Sequence, residues 1–306
     1  MIDVREIRDE ELPGWIAVVQ AGNAGEAGTV EDYLDWRRQA KDMAWLLAEQ
    51  AGEPSGAAIT IVGWHSPPGV GRGEVYVPPA ARGRGVGSEL YREVAIWVAA
   101  RGCIELESSV REDDAESLAW VERRGFREVA RNSRLVLDLE AVPEPAVDPP
   151  AGIEIVSWAE RPGLERGMYE VALEAYPDIP GQADDEETSF EEWLSVDMQG
   201  AGDRPEATFV ALSDGDVVGY GKLSFSNARP GVVMHDLTGV KRAWRRRGIA
   251  GALKRAEIAW AKRSGYTRLE TMNEERNEPI RRLNERHGYR LEPGEVTLRA
   301  AILGPD

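Results

Sequence analysis

Arg245-Arg-Arg-Gly-Ile-Ala250 lies between an apolar run, Val232 to Val240, and an amphipathic one, Gly248 to Ser264. The chain contains the same order earlier: Arg82-Gly-Arg-Gly-Val-Gly87 lies between Val75-Tyr-Val77 and the run Gly85 to Ala100. Each residue of the later copy stands 163 positions after its counterpart, and the offset holds for Trp97 and Trp260, Gly102 and Gly265, Glu107 and Glu270, and Gly125 and Gly288. A gapless register over roughly fifty residues is an internal repeat. Its period is far too long for a solenoid, so the chain is constrained to two domains of one fold.

The pattern of strand, R-x-x-G-x-G/A and helix has a direct physical use. Glycines let the backbone turn tightly and approach a ligand closely. The first amides of the following helix lack intrahelical partners and carry the positive end of the helix dipole. Together they form an anion site suited to a pyrophosphate. An ordinary strand-to-helix turn with arginines for solubility would explain one copy as well. Two copies in register, each with a downstream Gly-Phe126 or Gly-Tyr289, favour the anion site. In the second copy Lys241, Arg242, Arg245, Arg246 and Arg247 add a basic cluster around it.

Composition sets the remaining bounds. A length of 306 residues is the size of about two domains of roughly 150 each, in agreement with the repeat. Hydrophobic residues make up 42% and charged residues 30%, as in soluble globular proteins. No apolar run approaches the ~18 residues of a membrane span, and the first residues do not read as a signal peptide. The single cysteine, Cys103, excludes an internal disulfide framework and reads as a buried small hydrophobe. His65, His235 and His287 have no ligand spacing, so no metal site is expected. A cytoplasmic location follows by default. The net charge of −17 argues against nucleic acid and favours a cationic partner such as an amine. Nothing indicates the oligomeric state.

In chain order, residues 2–6 read as a strand, Asp9 to Gln20 as a helix, Glu31 to Glu49 as a second helical pattern whose tail turns to strand, and Ala57 to Trp64 as a strand. After the first loop and its helix come a strand from Ile104 to Val110, a short helix capped near Asp114, and a closing strand from Arg134 to Leu139. Ala141 to Pro150 is too proline-rich for a helix or central strand. The expected division is therefore a first domain over 1–140, a linker over 141–151 and a second domain over 152–306. The second repeats the order, with Asp214-Gly215 as a hairpin signal. Strands alternating with helices indicate an α/β architecture.

R-x-x-G-x-G/A, a helix, a strand and a helix ending in Arg-Arg-Gly-Phe126 or Arg-His-Gly-Tyr289 resemble the GNAT acyl-CoA N-acetyltransferases, and the doubling is similar to tandem GNAT proteins of the mycothiol-synthase type. The resemblance implies two GNAT-like domains, each a mixed, mostly antiparallel sheet splayed at its centre and flanked by helices. It implies acetyl-CoA as acyl donor and a small-molecule primary amine as acceptor. In this family the donor's phosphates sit on the loop, here Arg245, Arg246, Arg247, Gly248, Ile249 and Ala250, or Arg82, Gly83, Arg84, Gly85, Val86 and Gly87. Thr238, Val240 and Val77 lie on the strands entering the loops, and Asn277 opens the final helix near the pantetheine arm. The family's tyrosine acid is absent: its position holds Asn284 in one copy and Val121 in the other.

The base would lie on the strand before the loop. Val233-Met-His-Asp-Leu-Thr238 carries Asp236 and His235, which face opposite sides. The 163-residue offset maps them onto Gly73 and Arg72, so only the second copy has a base candidate there. Asp236, expected in an apolar slot, is the first candidate, with a satisfied strand-end carboxylate as the alternative. Glu270 is the second, although its match with Glu107 is more simply structural. The second domain is thus read as catalytic, and the first as a degenerate copy that either still binds CoA or only braces the fold. Asp178, Asp184, Asp185, Glu186, Glu187, Glu191 and Glu192 offer an acidic rim for the acceptor, or simply a solvated helix start. The rival reading is a catalytically inactive acyl-CoA-binding sensor or scaffold. A Rossmann-type dinucleotide site is weaker, because Gly83, Gly85 and Gly87 lack the fingerprint's spacing and its later ribose-binding acid.

Overall fold

Asp214 and Gly215 adopt left-handed φ of 52° and 92°, the pair of positive angles that a tight hairpin needs, and they join two strands as the dipeptide signalled. Such local chemistry fixes most elements of this computed structural model, which describes residues 1–23, 28–40, 42–63, 66–179 and 189–302. The first half of the chain forms β1 (Ile2–Glu6), α1 (Leu12–Gly22), α2 (Val30–Gln39), β2 (Asp42–Gln50), β3 (Glu53–Val62), β4 (Val70–Tyr76), α3 (Val86–Ala99), β5 (Glu105–Arg111), α4 (Ala115–Glu122) and β6 (Arg127–Asp138). The second forms β7 (Glu154–Ser157), α5 (Glu165–Ala175), α6 (Phe190–Asp197), β8 (Asp203–Ser213), β9 (Asp216–Ser224), β10 (Val232–Val240), α7 (Ile249–Arg263), β11 (Arg268–Glu274), α8 (Glu278–Arg286) and β12 (Arg290–Ala301). The helical pattern from Glu31 to Glu49 is two elements. Thr29 caps α2 through the Asp32 amide, the helix ends at Gln39, and the alternation of Met43 to Leu47 belongs to β2. No helix among the described residues is long and apolar enough to cross a membrane.

The chain divides into two compact units, Met1–Arg131 with the segment from Glu295 onward, and Asn132–Gly294. This differs from the boundary expected at 140, and the reason is an exchange of final strands. Arg134 to Leu139 was the expected closing strand of the first domain. Instead, residues 132–138 pair antiparallel with β11 of the second unit, from Arg268↔Asp138 to Glu274↔Asn132. The first unit is completed by the end of β12, from Glu295↔Arg111 to Ala301↔Glu105. Both strands carry an alternating apolar face, Leu135 and Leu137 in one and Val296, Leu298 and Ala300 in the other. Side-chain period fixes which face of a strand is buried, but it does not choose between two equivalent edges.

In the first unit, β2 shows how the sheet buries both faces. Ala44, Leu46 and Ala48 join Val86, Leu90, Val94 and Val98 of α3 on one side. Met43, Trp45 and Leu47 join Leu12, Trp15 and Val19 of α1 on the other. The second unit repeats this, with Val210 and Leu212 against Met168, Val171 and Trp193, and Phe209 and Ala211 against Ile249 and Leu253. The two sheets share a central irregularity. β4 and β5 run parallel but pair only through Val70–Arg72 and Glu105–Glu107, and then part. β10 and β11 likewise pair only through Val232–Met234 and Arg268–Glu270. Each sheet is therefore mixed, mostly antiparallel and open at its middle.

Leu298 is 3% exposed, so Leu298→Ala should cost ~2–5 kcal/mol. Although it lies in the second half of the sequence, limited proteolysis should find new cleavage first within residues 1–131.

Candidate functional site

The two loops have the same backbone. Gly83 and Gly85 have φ of 73° and 89°, and their counterparts Arg246 and Gly248 have 62° and 87°. Gly85 and Gly248 are the N-caps of α3 and α7, so the unpaired first amides of each helix face the loop. Arg82 Nε donates to the Val77 carbonyl at 3.2 Å, and Arg245 Nε to the Val240 carbonyl at 2.9 Å. These arginines pin each loop to its incoming strand. Their outer nitrogens are also engaged, Arg82 with Glu116 and Arg245 with Asp178 and the Glu174 carbonyl. Val86 and Ile249 are buried as the first helical residues, and Arg84, Arg246 and Arg247 are exposed.

Beneath the first loop the parting of β4 and β5 opens a cavity of about 500 Å³, within the usual range for small-molecule sites. Val77, Gly87 and Tyr91 line its loop end, Trp120 and Val121 its α4 wall, and Glu74 and Tyr76 the edge of β4. Glu74 is accessible through the cavity but is otherwise ringed by protein. Tyr76 Oη donates to its carboxyl at 3.4 Å, and the Ser109 backbone amide reaches it from the parted strand β5. Burial, then the negative charge of Glu295, pushes Glu74 up to about 7. Arg72 and the two hydrogen bonds oppose that rise.

In the second unit the corresponding positions are polar and bonded to one another. Lys254, Glu257, Asn284 and Tyr289 stand where the first copy has Tyr91, Val94, Val121 and Phe126. Lys254 Nζ donates to Asn284 Oδ1 at 2.8 Å, and Asn284 Nδ2 to Asn273 Oδ1 at 2.7 Å. His235 bonds Tyr289 and lies 3.2 Å from Glu257. Burial, then Lys254, lowers His235 to about 4, and burial lowers Lys254 to about 8 against the pull of Glu257. Glu257 Oε1 would meet a Cβ at position 221 at 2.6 Å, so only glycine leaves room for it there.

Asp236 does not face an apolar slot. It is half-exposed and pairs with the buried Lys222 ammonium at 2.9 Å, which also holds Asp203 at 2.7 Å. Burial works to lower Lys222, but Asp236 and Asp203 outweigh it, and the ammonium persists with Asp236 as its counter-ion. His235 faces the opposite side, as alternation required. Glu270 is locked by Arg134, Arg229 and Arg268 at 2.6–2.7 Å. Burial would raise its pKa, but Arg229 and Arg134 hold it below the usual range, so it is a structural carboxylate. Glu107 repeats the arrangement with Arg72 and Arg299.

The basic cluster is answered from within its own unit: Lys241 pairs with Glu170 and Arg242 with Asp178. Asp178 thereby serves the loop rather than an acceptor rim, and Glu191 faces Arg166 at 3.9 Å. Asp184, Asp185, Glu186 and Glu187 lie outside the described residues. Thr238 sits just past the bulge, opposite Gly221 on β9. Asn277 is the N-cap of α8 without a side-chain cap bond, whereas Asp114 caps α4 through the Ser117 amide at 3.0 Å.

Sequence reasoning missed Glu74 because the 163-residue offset breaks locally. β10 bulges between His235 and Thr238, whereas β4 pairs with β3 without interruption from Val62↔Gly71 to Ala57↔Tyr76. The offset therefore paired Asp236 with Gly73, one residue short of the carboxylate. A lone glutamate inside Val70 to Tyr76 was the signal available.

The sequence pattern of the acetyltransferase (GNAT) family matches residues 3–126 and 166–289, again 163 positions apart, and the chain belongs to this family. It is an acyltransferase built from two GNAT domains in tandem. It is 27% identical to the mycothiol acetyltransferase of Brachybacterium faecium, over 80% of this chain and 72% of that one. A GCN5-related N-acetyltransferase from Sphaerobacter thermophilus superposes with a TM-score of 0.77 at 26% identity, covering 100% of this chain and 97% of that one. A tandem GNAT protein of the clavulanic acid biosynthesis pathway shares the fold over 100% of both chains, with a TM-score of 0.82 and 20% identity.

The buried His235 makes stability depend on pH. Its pKa is lower folded than unfolded, so its contribution is complete above about 6.5 and is lost as pH falls toward about 4. At about 1.4 kcal/mol per unit over about 2.5 units the loss is at most ~3.5 kcal/mol. Urea midpoints at pH 7.5 and 5 should therefore converge in His235→Gln relative to the parent chain. The difference isolates His235 from Glu74, whose raised pKa acts in the opposite sense.

Proposed function

We propose that the protein transfers an acetyl group from acetyl-CoA to a small-molecule amine, and that the first unit holds both the donor and the base. The observation that carries this reading is the cavity under Arg82 to Gly87 with Glu74 on its wall. The Gly83–Gly87 amides and the α3 N-terminus suit the donor's pyrophosphate. The opening between β4 and β5 suits its pantetheine arm. Glu74 stands eight residues before Arg82, on the strand that borders the thioester in this reading. With its pKa pushed up to about 7, Glu74 can take a proton from an ammonium, directly or through one water. The freed amine attacks the thioester carbonyl, the C–N bond forms, the nitrogen releases its second proton to solvent, and the C–S bond breaks. The thiolate takes its proton from water, since Val121 occupies the position of the family's tyrosine.

The second unit is read here as support for the first, because the positions that are apolar in the first copy carry the polar contacts Lys254–Asn284–Asn273 and His235–Tyr289. This reverses the assignment from sequence, which rested on Asp236 and the basic cluster. An inactive acyl-CoA scaffold has less support, since a scaffold has no use for a raised carboxyl in its cavity. The carboxyl groups of Glu74 and Glu295 lining one cavity, together with the net charge of −17, favour a cationic acceptor.

Calorimetric titration should find one acetyl-CoA per chain. Gly85→Glu should abolish that binding, because it adds a side chain and a negative charge where the pyrophosphate would sit, and Gly248→Glu should leave it intact. Loss of binding in Gly248→Glu alone would return the donor to the second unit.

Once an acceptor amine is known, Glu74→Gln should lower turnover by about 10²-fold or more with acetyl-CoA affinity unchanged. Asp236→Asn should stay within a few-fold of the parent rate. The acid limb of kcat/KM should fall near pH 7, because activity requires the ionised Glu74. An acid limb near 4.5 would remove Glu74 from the role of base.

A further inference from the structure

Glu295 lies 221 residues from Glu74 in the chain, yet the two line the same cavity of the first unit. The strand exchange brings it there. Glu295 opposes Arg111 at the start of the paired part of β12, and Thr297 opposes Ser109. In an antiparallel pair, residues two apart share a face. Glu295 and Thr297 therefore lie on the same side of the sheet as Ser109 and Arg111, both of which also line the cavity. Glu74 approaches from the other edge of the opening and takes the Ser109 amide. β5 thus has Glu74 on one flank and Glu295 on the other.

From this placement we infer that Glu295 is a positioning residue of the first unit's cavity, whose charge acts on the Glu74 carboxyl across β5. The inference rests on the reading of Glu74 as the base. Its physical cause is like-charge repulsion. Two carboxylates beside one low-dielectric space resist ionising together, and the one enclosed by protein holds its proton longer. The groups around Glu74 set the balance. Arg72 on its own strand and the Ser109 amide on β5 favour the ionised form, as does the Tyr76 hydroxyl. Glu295 on β12 favours the protonated form, second only to burial. Tyr33 of α2 also interacts with Glu74, but it is neutral over this range, with its pKa raised by burial. Arg111 lies across from Glu295 and also bonds Asp113 at 2.8 and 3.0 Å. The second half of the chain therefore contributes to the proposed chemistry of the first through one side chain.

The test needs no acceptor. In full-length protein labelled with [δ-13C]glutamate, the Glu74 carboxyl resonance is assigned by its absence in Glu74→Gln and titrated from pH 4 to 9. The expected midpoint is near 7 in the parent chain. Glu295→Gln should move it to lower pH, and Glu295→Asp, which keeps the charge, should restore most of the shift. Acetyl-CoA binding by calorimetry should be unchanged in both variants, which shows that the cavity is intact. A midpoint near 7 that ignores Glu295→Gln overturns this inference and leaves Glu74 as the base. A midpoint near 4.5 in the parent chain overturns both. Equal displacement in Glu295→Gln and Glu295→Asp would mark a structural effect and also reject the charge-based role.

Discussion

Two parallel strands that stop pairing after three residues leave a problem that the rest of each unit must solve. β4 and β5 part beyond Arg72 and Glu107, and β10 and β11 beyond Met234 and Glu270. Past those points backbone groups on the facing edges lose their ladder partners, and an unpaired buried amide or carbonyl is costly. The helix that follows each glycine loop closes one end of the gap. In the first unit the gap remains a cavity and Glu74 bridges it by accepting the Ser109 amide. In the second, Asn273 and Glu274 extend β11 along Ser133 and Asn132, and Asn284 of α8 bonds the Asn273 side chain. The two units start from the same interruption and differ in what they place inside it.

The difference comes from a few substitutions on the inward faces of α7 and α8. Val94 and Val121 of the first copy become Glu257 and Asn284 in the second. Burying a carboxylate, an ammonium and an imidazole together is expensive unless each is paired. Lys254 bonds Asn284 and His235 bonds Tyr289, with burial keeping the imidazole neutral and the phenol protonated. Glu257 and His235 Nδ1 make no hydrogen bond in this arrangement. Such a network is well suited to a rigid interior.

Much of this was legible in the sequence. The repeat, the loops, the helices behind them and the turn at Asp214-Gly215 all arise from local pattern and from an offset that can be counted. The match of Glu107 with Glu270 was legible too, and each carboxylate is held by arginines of its own unit. Three things were not. The partner of a strand is a long-range choice, so the alternation of Arg134 to Leu139 could not say that it pairs with β11. A bulge changes register without changing composition, so Asp236 was matched to Gly73 and Glu74 was passed over. The cluster from Lys241 to Arg247 read as an anion site because Glu170, Glu174 and Asp178 are distant in sequence and meet it only in the fold.

The exchanged strands also set a timetable for synthesis. β5 takes its partner from a segment nearly 190 residues further along the chain. At about 5–20 residues per second on the ribosome, that separation is a wait of roughly ten to forty seconds. During that interval β5 awaits its partner while residues 132–138, which carry a similar alternating apolar face, have already emerged. A nascent chain that paired them would hold the first unit in the unexchanged arrangement and leave β11 without its neighbour. The doubled sequence therefore carries a kinetic hazard that a single copy would not, and folding yield should depend on how quickly β11 captures the strand that precedes it.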